Sequence, residues 1–93
     1  MYSDDFLTPK IDKWNLAAKE LPEKNGVYYT YSITLSGNYV YSYKAFMNKS
    51  WWEWDYKKRF WTDKKNNDVI GWVVPSESMK RDDSLLKEMI ECF

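Results

Sequence analysis

The chain has 93 residues, with fourteen basic and fourteen acidic side chains, no histidine, one cysteine, and six Trp, eight Tyr and four Phe. Without histidine it lacks the usual general base, the commonest metal ligand and every Ser-His or Cys-His nucleophile arrangement. A lone cysteine allows neither an internal disulfide nor a thiol pair for zinc, which fits a reducing cytoplasm. No apolar run approaches the roughly 20 residues needed to span a bilayer, and the first ten residues are acidic and polar. One soluble, untargeted cytoplasmic domain is therefore expected, with an aromatic core making up for modest length.

Charge is uneven along the chain. Residues 27–65 carry seven basic against three acidic side chains, whereas residues 66–93 carry three against six. The first of these stretches is also the aromatic one, since 13 of the 18 rings lie between Val27 and Trp61.

Residues 1–7 are expected to fray. Thr8-Pro9 reads as a cap followed by proline at the first helical position, and Ile11, Trp14, Ala18 and Leu21 recur at spacings of three and four. A short helix over 8–21 is predicted, ended by Pro22. Gly26 closes a turn. The run from Val27 to Leu35 then alternates, with Val27, Tyr29, Tyr31, Ile33 and Leu35 on one face and Tyr28, Thr30, Ser32 and Thr34 on the other. Ser36-Gly37-Asn38 makes a hairpin into a second strand, 38–47, in which Tyr39, Tyr41 and Tyr43 share a face. Which face meets the core depends on register.

Asn48-Lys49-Ser50 turns the chain into a third strand, 51–56, with Trp52, Trp54 and Tyr56 opposite Trp51, Glu53 and Asp55. Lys57-Lys58-Arg59 reads as a loop or edge, Phe60-Trp61-Thr62 as a short strand, and the polar run 63–68 as a loop. Val69 to Val74 is nearly all apolar, as a central strand is, and Gly71 marks a bulge or a close approach. From Ser78 to Phe93, Leu85, Leu86, Met89, Ile90 and Phe93 fall at helical spacing, behind Asp82 and Asp83 at the acidic start. The fold class that follows is α+β: a small antiparallel sheet of three to five strands in hairpins over 27–74, a short N-terminal helix and a C-terminal amphipathic helix over 78–93. Trp14, Trp54 and Trp72 are expected in the core, and at least two of Trp51, Trp52 and Trp61 partly exposed.

Three pieces of this sequence carry a likeness to a known family: Trp14 followed by Leu21-Pro22-Glu23, Gly26 and a strand; the tryptophans between Trp51 and Trp54; and Val69-Ile70-Gly71-Trp72 with Pro75 and Glu77 after it. Over residues 14–77 the chain resembles the DUF551 family of short proteins common in phages and prophages. Gly71 stands where that family usually has histidine, the second proline of its closing motif is missing, and the helix after residue 78 is extra. The resemblance implies a phage or prophage origin and a meandering sheet. It transfers no site, because the family carries no assigned activity.

Among the motifs, Glu53 and Asp55 flank Trp54 as an acid/base pair would, but with no histidine or metal beside them they read as solvated strand residues. Asp82-Asp83 is too few oxygens for a hard cation and reads as helix capping. Cys92 reads as a packing residue. Lys57, Lys58 and Arg59 beside Trp51, Trp52 and Trp61 form the strongest candidate site. Basic groups next to exposed rings hold single-stranded nucleic acid, and aromatic platforms also hold sugars. Trp and Tyr equally dominate protein-binding hot spots. Six Trp and eight Tyr exceed what so small an interior needs, so a partner surface is expected. A non-enzymatic phage accessory protein that binds a host protein is the leading reading, and inhibition of a host defence such as CRISPR is one form of it. Single-stranded nucleic acid or a carbohydrate are the alternatives. No catalytic residue, metal or cofactor is expected, and monomer and homodimer both stay open.

Overall fold

In the computed structural model, which describes residues 14–93, the chain forms strands β1 (Asn15–Leu16), β2 (Gly26–Ile33), β3 (Tyr39–Met47), β4 (Ser50–Asp55), β5 (Phe60–Lys65) and β6 (Gly71–Val73), then helices α1 (Glu77–Asp82) and α2 (Ser84–Glu91). The strands make one antiparallel sheet in the order β1-β6-β2-β3-β4-β5.

Three turns set this order. Gly37 adopts φ 89 at the tip between β2 and β3, a value that glycine reaches without steric cost. Asn48 and Lys49 both take positive φ, 54 and 62, and link Met47 to its partner Ser50 as a two-residue hairpin of the primed kind, whose twist matches that of the strands. Between β4 and β5, Asp55 Oδ1 accepts from the amides of Lys57 at 2.9 Å and Lys58 at 3.0 Å.

Register answers which strand faces agree. Tyr29 pairs with Tyr43, Tyr31 with Tyr41 and Ile33 with Tyr39, so the tyrosines of β3 share a face with Val27, Tyr29, Tyr31 and Ile33. That face buries Val27 and Trp54 beneath Leu86 and Met89 of α2. The opposite face buries Tyr28, Phe46, Trp51, Val69 and Trp72. Loop segments cover it: Trp72 Nε1 donates to Glu20 O at 3.0 Å, and Tyr28 Oη to Lys24 O at 2.6 Å.

The expected fold differs from this in four ways. The sheet has six strands rather than three to five. The expected short N-terminal helix is absent from its described part, residues 14–21, which instead form β1 and a turn; residues 8–13 lie outside the described residues. The reason is tertiary. Asn15 and Leu16 pair with Trp72 and Gly71, and Ala17 N donates to Ile70 O at 2.8 Å, contacts that outweigh the marginal stability of a short helix. The third departure is at 63–65, where the expected loop continues β5 through Asp63, Lys64 and Lys65. At the edge of a sheet, charged residues are the normal protection against unwanted pairing. Lastly, the helix expected over 78–93 is divided. α1 starts at Glu77, capped by Ser76, and ends at Asp83, whose carboxylate accepts from Leu85 N and Leu86 N to start α2.

Gly71 is a close approach, as its place in an apolar strand suggested. A Cβ there would lie 2.2 Å from the ring of Tyr31, so only glycine lets this ring cross β6.

Candidate functional site

The six residues singled out by sequence do not form one surface. Trp51 is 3% exposed and lies on the loop-covered face, with its ring 4.8 Å from Phe46. Arg59 is committed elsewhere: its Nε donates to Glu88 Oε2 at 2.8 Å, and its second guanidinium nitrogen meets Glu88 Oε1. That pairing ties the β4–β5 hairpin to α2, and Arg59 itself sits at positive φ, 55, with its amide donating to Asp55 O at 2.7 Å. Lys57 and Lys58 are exposed in the hairpin loop. Only Trp52 and Trp61 come together, both half-buried on the helix-side face. The expectation that two of Trp51, Trp52 and Trp61 stay partly exposed therefore holds, as does burial of Trp54 and Trp72. Trp14 is half-buried rather than in the core.

Trp52 and Trp61 line an open groove of about 380 Å³ beside α2, together with Met47, Phe60, Cys92 and Phe93, while Asp63 stands at its polar side. The walls come from β3, β4, β5 and the end of α2, so helix docking builds the groove. Each indole is fixed by its polar end. Trp52 Nε1 donates to Met47 O at 2.9 Å, and Trp61 Nε1 to Met89 O at 2.9 Å. Lys65 Nζ sits 5.7 Å from the centre of the Trp52 ring, a cation–π arrangement. Beneath the groove, Trp61 meets Trp54 edge to face, with centroids 5.0 Å apart at 78°. Phe60 is 58% exposed.

Beyond α2 in the other direction the same face is paved with tyrosine. Trp14 lies 4.7 Å from Tyr31 and 5.9 Å from Tyr29, and Tyr39 and Leu35 are exposed on the β2–β3 hairpin. Tyr43 at the near end donates to Asp83 Oδ2 at 3.0 Å. Burial pushes the Tyr29 phenol up to about 12, and burial with the Asp83 bond raises Tyr43 as well.

The acidic candidates have structural partners. Backbone amides of Lys58 and Lys57 hold the Asp55 carboxyl below the usual range, and Glu53 Oε2 accepts from Asn66 Nδ2 at 2.5 Å. Asp83 caps α2. On the loop-covered face, burial lowers the pKa of Lys44, whose Nζ donates to Ser42 Oγ at 3.1 Å. Among the described residues no three side chains of metal-ligating type converge, and no helix is long and apolar enough to cross a membrane.

Sequence reasoning missed Met47, Phe60, Cys92 and Phe93 as groove residues. The apolar spacing that placed Phe93 on the packing side of the C-terminal helix was the available signal. Met47 and Phe60 join through the register of β3 and β5, which no local pattern specifies. No family model, curated protein or solved structure matches the chain.

Proposed function

We propose that this protein acts by binding another protein, without catalysing a reaction, and that the groove beside α2 is where the partner docks. The observation that carries the reading is the groove itself: aromatic walls whose indole nitrogens are already bonded to backbone carbonyls, next to an exposed Phe60. Rings held in place lose little entropy on binding, which is why Trp and Phe in such settings contribute strongly to affinity. The resemblance to phage and prophage proteins points to a host protein as the partner, in the role of a small accessory factor that blocks or redirects it. Inhibition of a host defence system is one form of that role.

A second reading is single-stranded nucleic acid, favoured by Lys65 over the Trp52 ring and by the exposed Lys57 and Lys58. The two separate in one experiment. The immobilised protein and its Trp52→Ala and Phe60→Ala variants are exposed to host lysate and, in parallel, to a single-stranded oligonucleotide at about 150 mM salt. A host protein retained by the parent and lost by both variants supports protein binding. Tight oligonucleotide binding that weakens steeply with salt overturns it.

A further inference from the structure

We infer that the first half of β3 is an edge built to pair with a second copy of this chain, strand against strand. This surface is separate from the groove and stands on the backbone ladder. β3 pairs with β2 from Tyr39 to Phe46, but with β4 only at Ala45, Phe46 and Met47. Past Ala45, β4 leaves: its register against β5 shifts between Trp52 and Trp54, and Trp54 is buried with Leu86 and Met89 of α2. Alternation fixes where the backbone groups of β3 point. Thr34 N donates to Asn38 O at 2.9 Å, and Ile70 N to Tyr31 O at 2.9 Å. Thr34 and Asn38 are thus a hydrogen-bonded pair, the next pair, Ile33 and Tyr39, is not, and Tyr31 spends its carbonyl on the β6 side of β2. The N–H and C=O of Tyr39, and of alternate residues after it, therefore point away from β2, toward the side that β4 has left.

Sheet edges are ordinarily guarded by charges, proline, bulges or brevity. β5 closes one end of this sheet with Asp63, Lys64 and Lys65, and β1 closes the other with two residues. The stretch Tyr39–Ser42 has none of these guards, and no charged residue occurs from Asn25 to Tyr43. Tyr39 is exposed on the helix-side face and Val40 on the opposite one. A backbone edge accepts a strand, and side chains select which. Within the chain, tyrosine already lies across from tyrosine: Tyr29 from Tyr43 and Tyr31 from Tyr41, with ring centroids 5.1 and 6.2 Å apart. Two β3 strands, antiparallel about a two-fold axis normal to the sheet, repeat that arrangement. Odd-numbered residues of one copy then meet odd-numbered residues of the other, so tyrosines meet tyrosines, and Val40 comes beside its own counterpart on the opposite face. Neither copy brings a charge that repels the other.

Such an edge is much smaller than the roughly 20–30 residues a side of a standard interface, so a reversible dimer forming over about 1–100 μM is expected. Sedimentation equilibrium of the full chain reads it as a rise in average mass from 11.3 kDa toward twice that value. Val40→Lys and Val40→Glu, at an exposed position, should each weaken the dimer about tenfold or more, because like charges then meet across the two-fold axis. Mixing the two variants should restore association, since Lys and Glu now face each other. A second measurement needs no variant: amide exchange over Tyr39–Ser42 in the parent chain should slow as its concentration rises through the same range. A chain that stays monomeric to about 100 μM would overturn the proposal. So would a dimer that forms without slowing exchange in that stretch, or one that both charges leave intact. Loss of the dimer in each variant without recovery on mixing would overturn the antiparallel self-pairing, since position 40 would then not meet its counterpart. None of these results bears on the groove, whose test is the lysate capture by Trp52 and Phe60 variants.

Discussion

The two faces of the sheet are closed in different ways, and the difference accounts for where a binding surface can lie. Loops cover one face, and four large rings there, Tyr28, Phe46, Trp51 and Trp72, are each less than a tenth exposed. Their polar ends are spent on the covering chain: Tyr28 on Lys24 and Trp72 on Glu20. The two-turn helix α2, with Met79 of α1 beside it, covers the other face, and a helix is narrower than the sheet beneath it. Leu86 and Met89 are completely buried at the centre, while Trp52, Trp61 and Phe60 project at one flank and Tyr39 at the other. Loops drape over whatever rings they meet, whereas a rigid rod leaves rings in pairs along its sides. Trp52 and Trp61 thus stay half-open beside the rod, while the four rings under the loops do not.

The largest effect that tests this contrast is truncation on the two faces. Trp72→Ala removes a ring at 7% exposure together with the donor to Glu20, and should destabilise the protein by about 3–5 kcal/mol in denaturant titration. Trp52→Ala removes a half-buried ring and should cost well under half as much, while abolishing partner binding if the proposed docking groove is used. Equal losses at the two positions would erase the distinction between a closed face and an open one.

Next in size is the crossing at Gly71. Adding a methyl group there drives Cβ to 2.2 Å from Tyr31, so Gly71→Ala should cost about 1–3 kcal/mol as an overpacking change. If the ring is the obstacle, Gly71→Ala in a Tyr31→Ala background should cost much less, a coupling readable from a double-mutant cycle. Additive losses would place the strain in the backbone of β6.

The same contrast marks how much of the molecule was readable in its sequence. Alternation in residues 27–47 and the Gly37 and Asn48 turns are local signals, and they located β2, β3 and their hairpins correctly. β1 has no local signal at all: two residues, Asn15 and Leu16, are strand because Trp72 and Gly71 lie beside them. Lys64 and Lys65 read as loop since polarity is what an edge strand and a loop have in common. Asp83 looked like part of one acidic helix start, yet a side chain that caps the following amides ends one helix as it begins another. For the site, it was legible that at least two of Trp51, Trp52 and Trp61 stay partly exposed, but not which two. Adjacency misled at Trp51, since neighbours on a strand point to opposite faces, and at Arg59, whose partner Glu88 is 29 positions away.

A smaller effect distinguishes the helix-side tyrosines. Burial raises the Tyr29 phenol to about 12, and burial plus the Asp83 bond raises Tyr43, against an unfolded value near 10. Below about pH 10 both states keep these protons and stability is unaffected. Above it the unfolded chain releases them first, so the folded state binds more protons and stability falls as pH rises, by at most about 1.4 kcal/mol per pH unit for each tyrosine. Denaturant midpoints measured from about pH 8 to about pH 11 should therefore decline at the alkaline end, and less steeply in Tyr43→Phe. An unchanged slope in that variant would mean that Tyr43 ionises freely and the helix does not shield it.

The smallest effect concerns what pins the groove's flank to α2. Arg59 is 65% and Glu88 26% exposed in their side chains, so solvent screens the pair and a double-mutant cycle with Ala should give a small coupling that declines with salt. Backbone conformation adds a second term of opposite sign. Arg59 sits at φ 55, where a side chain costs about 1–2 kcal/mol and glycine little. Arg59→Ala loses the ion pair and keeps the strain, while Arg59→Gly loses the pair and relieves it. The glycine variant should therefore be the more stable of the two by about 1 kcal/mol and close to the parent. An alanine variant as stable as the glycine one would show that the hairpin leaves the left-handed conformation once Glu88 releases it, which makes the ion pair, rather than the turn, the element that shapes this side of the groove.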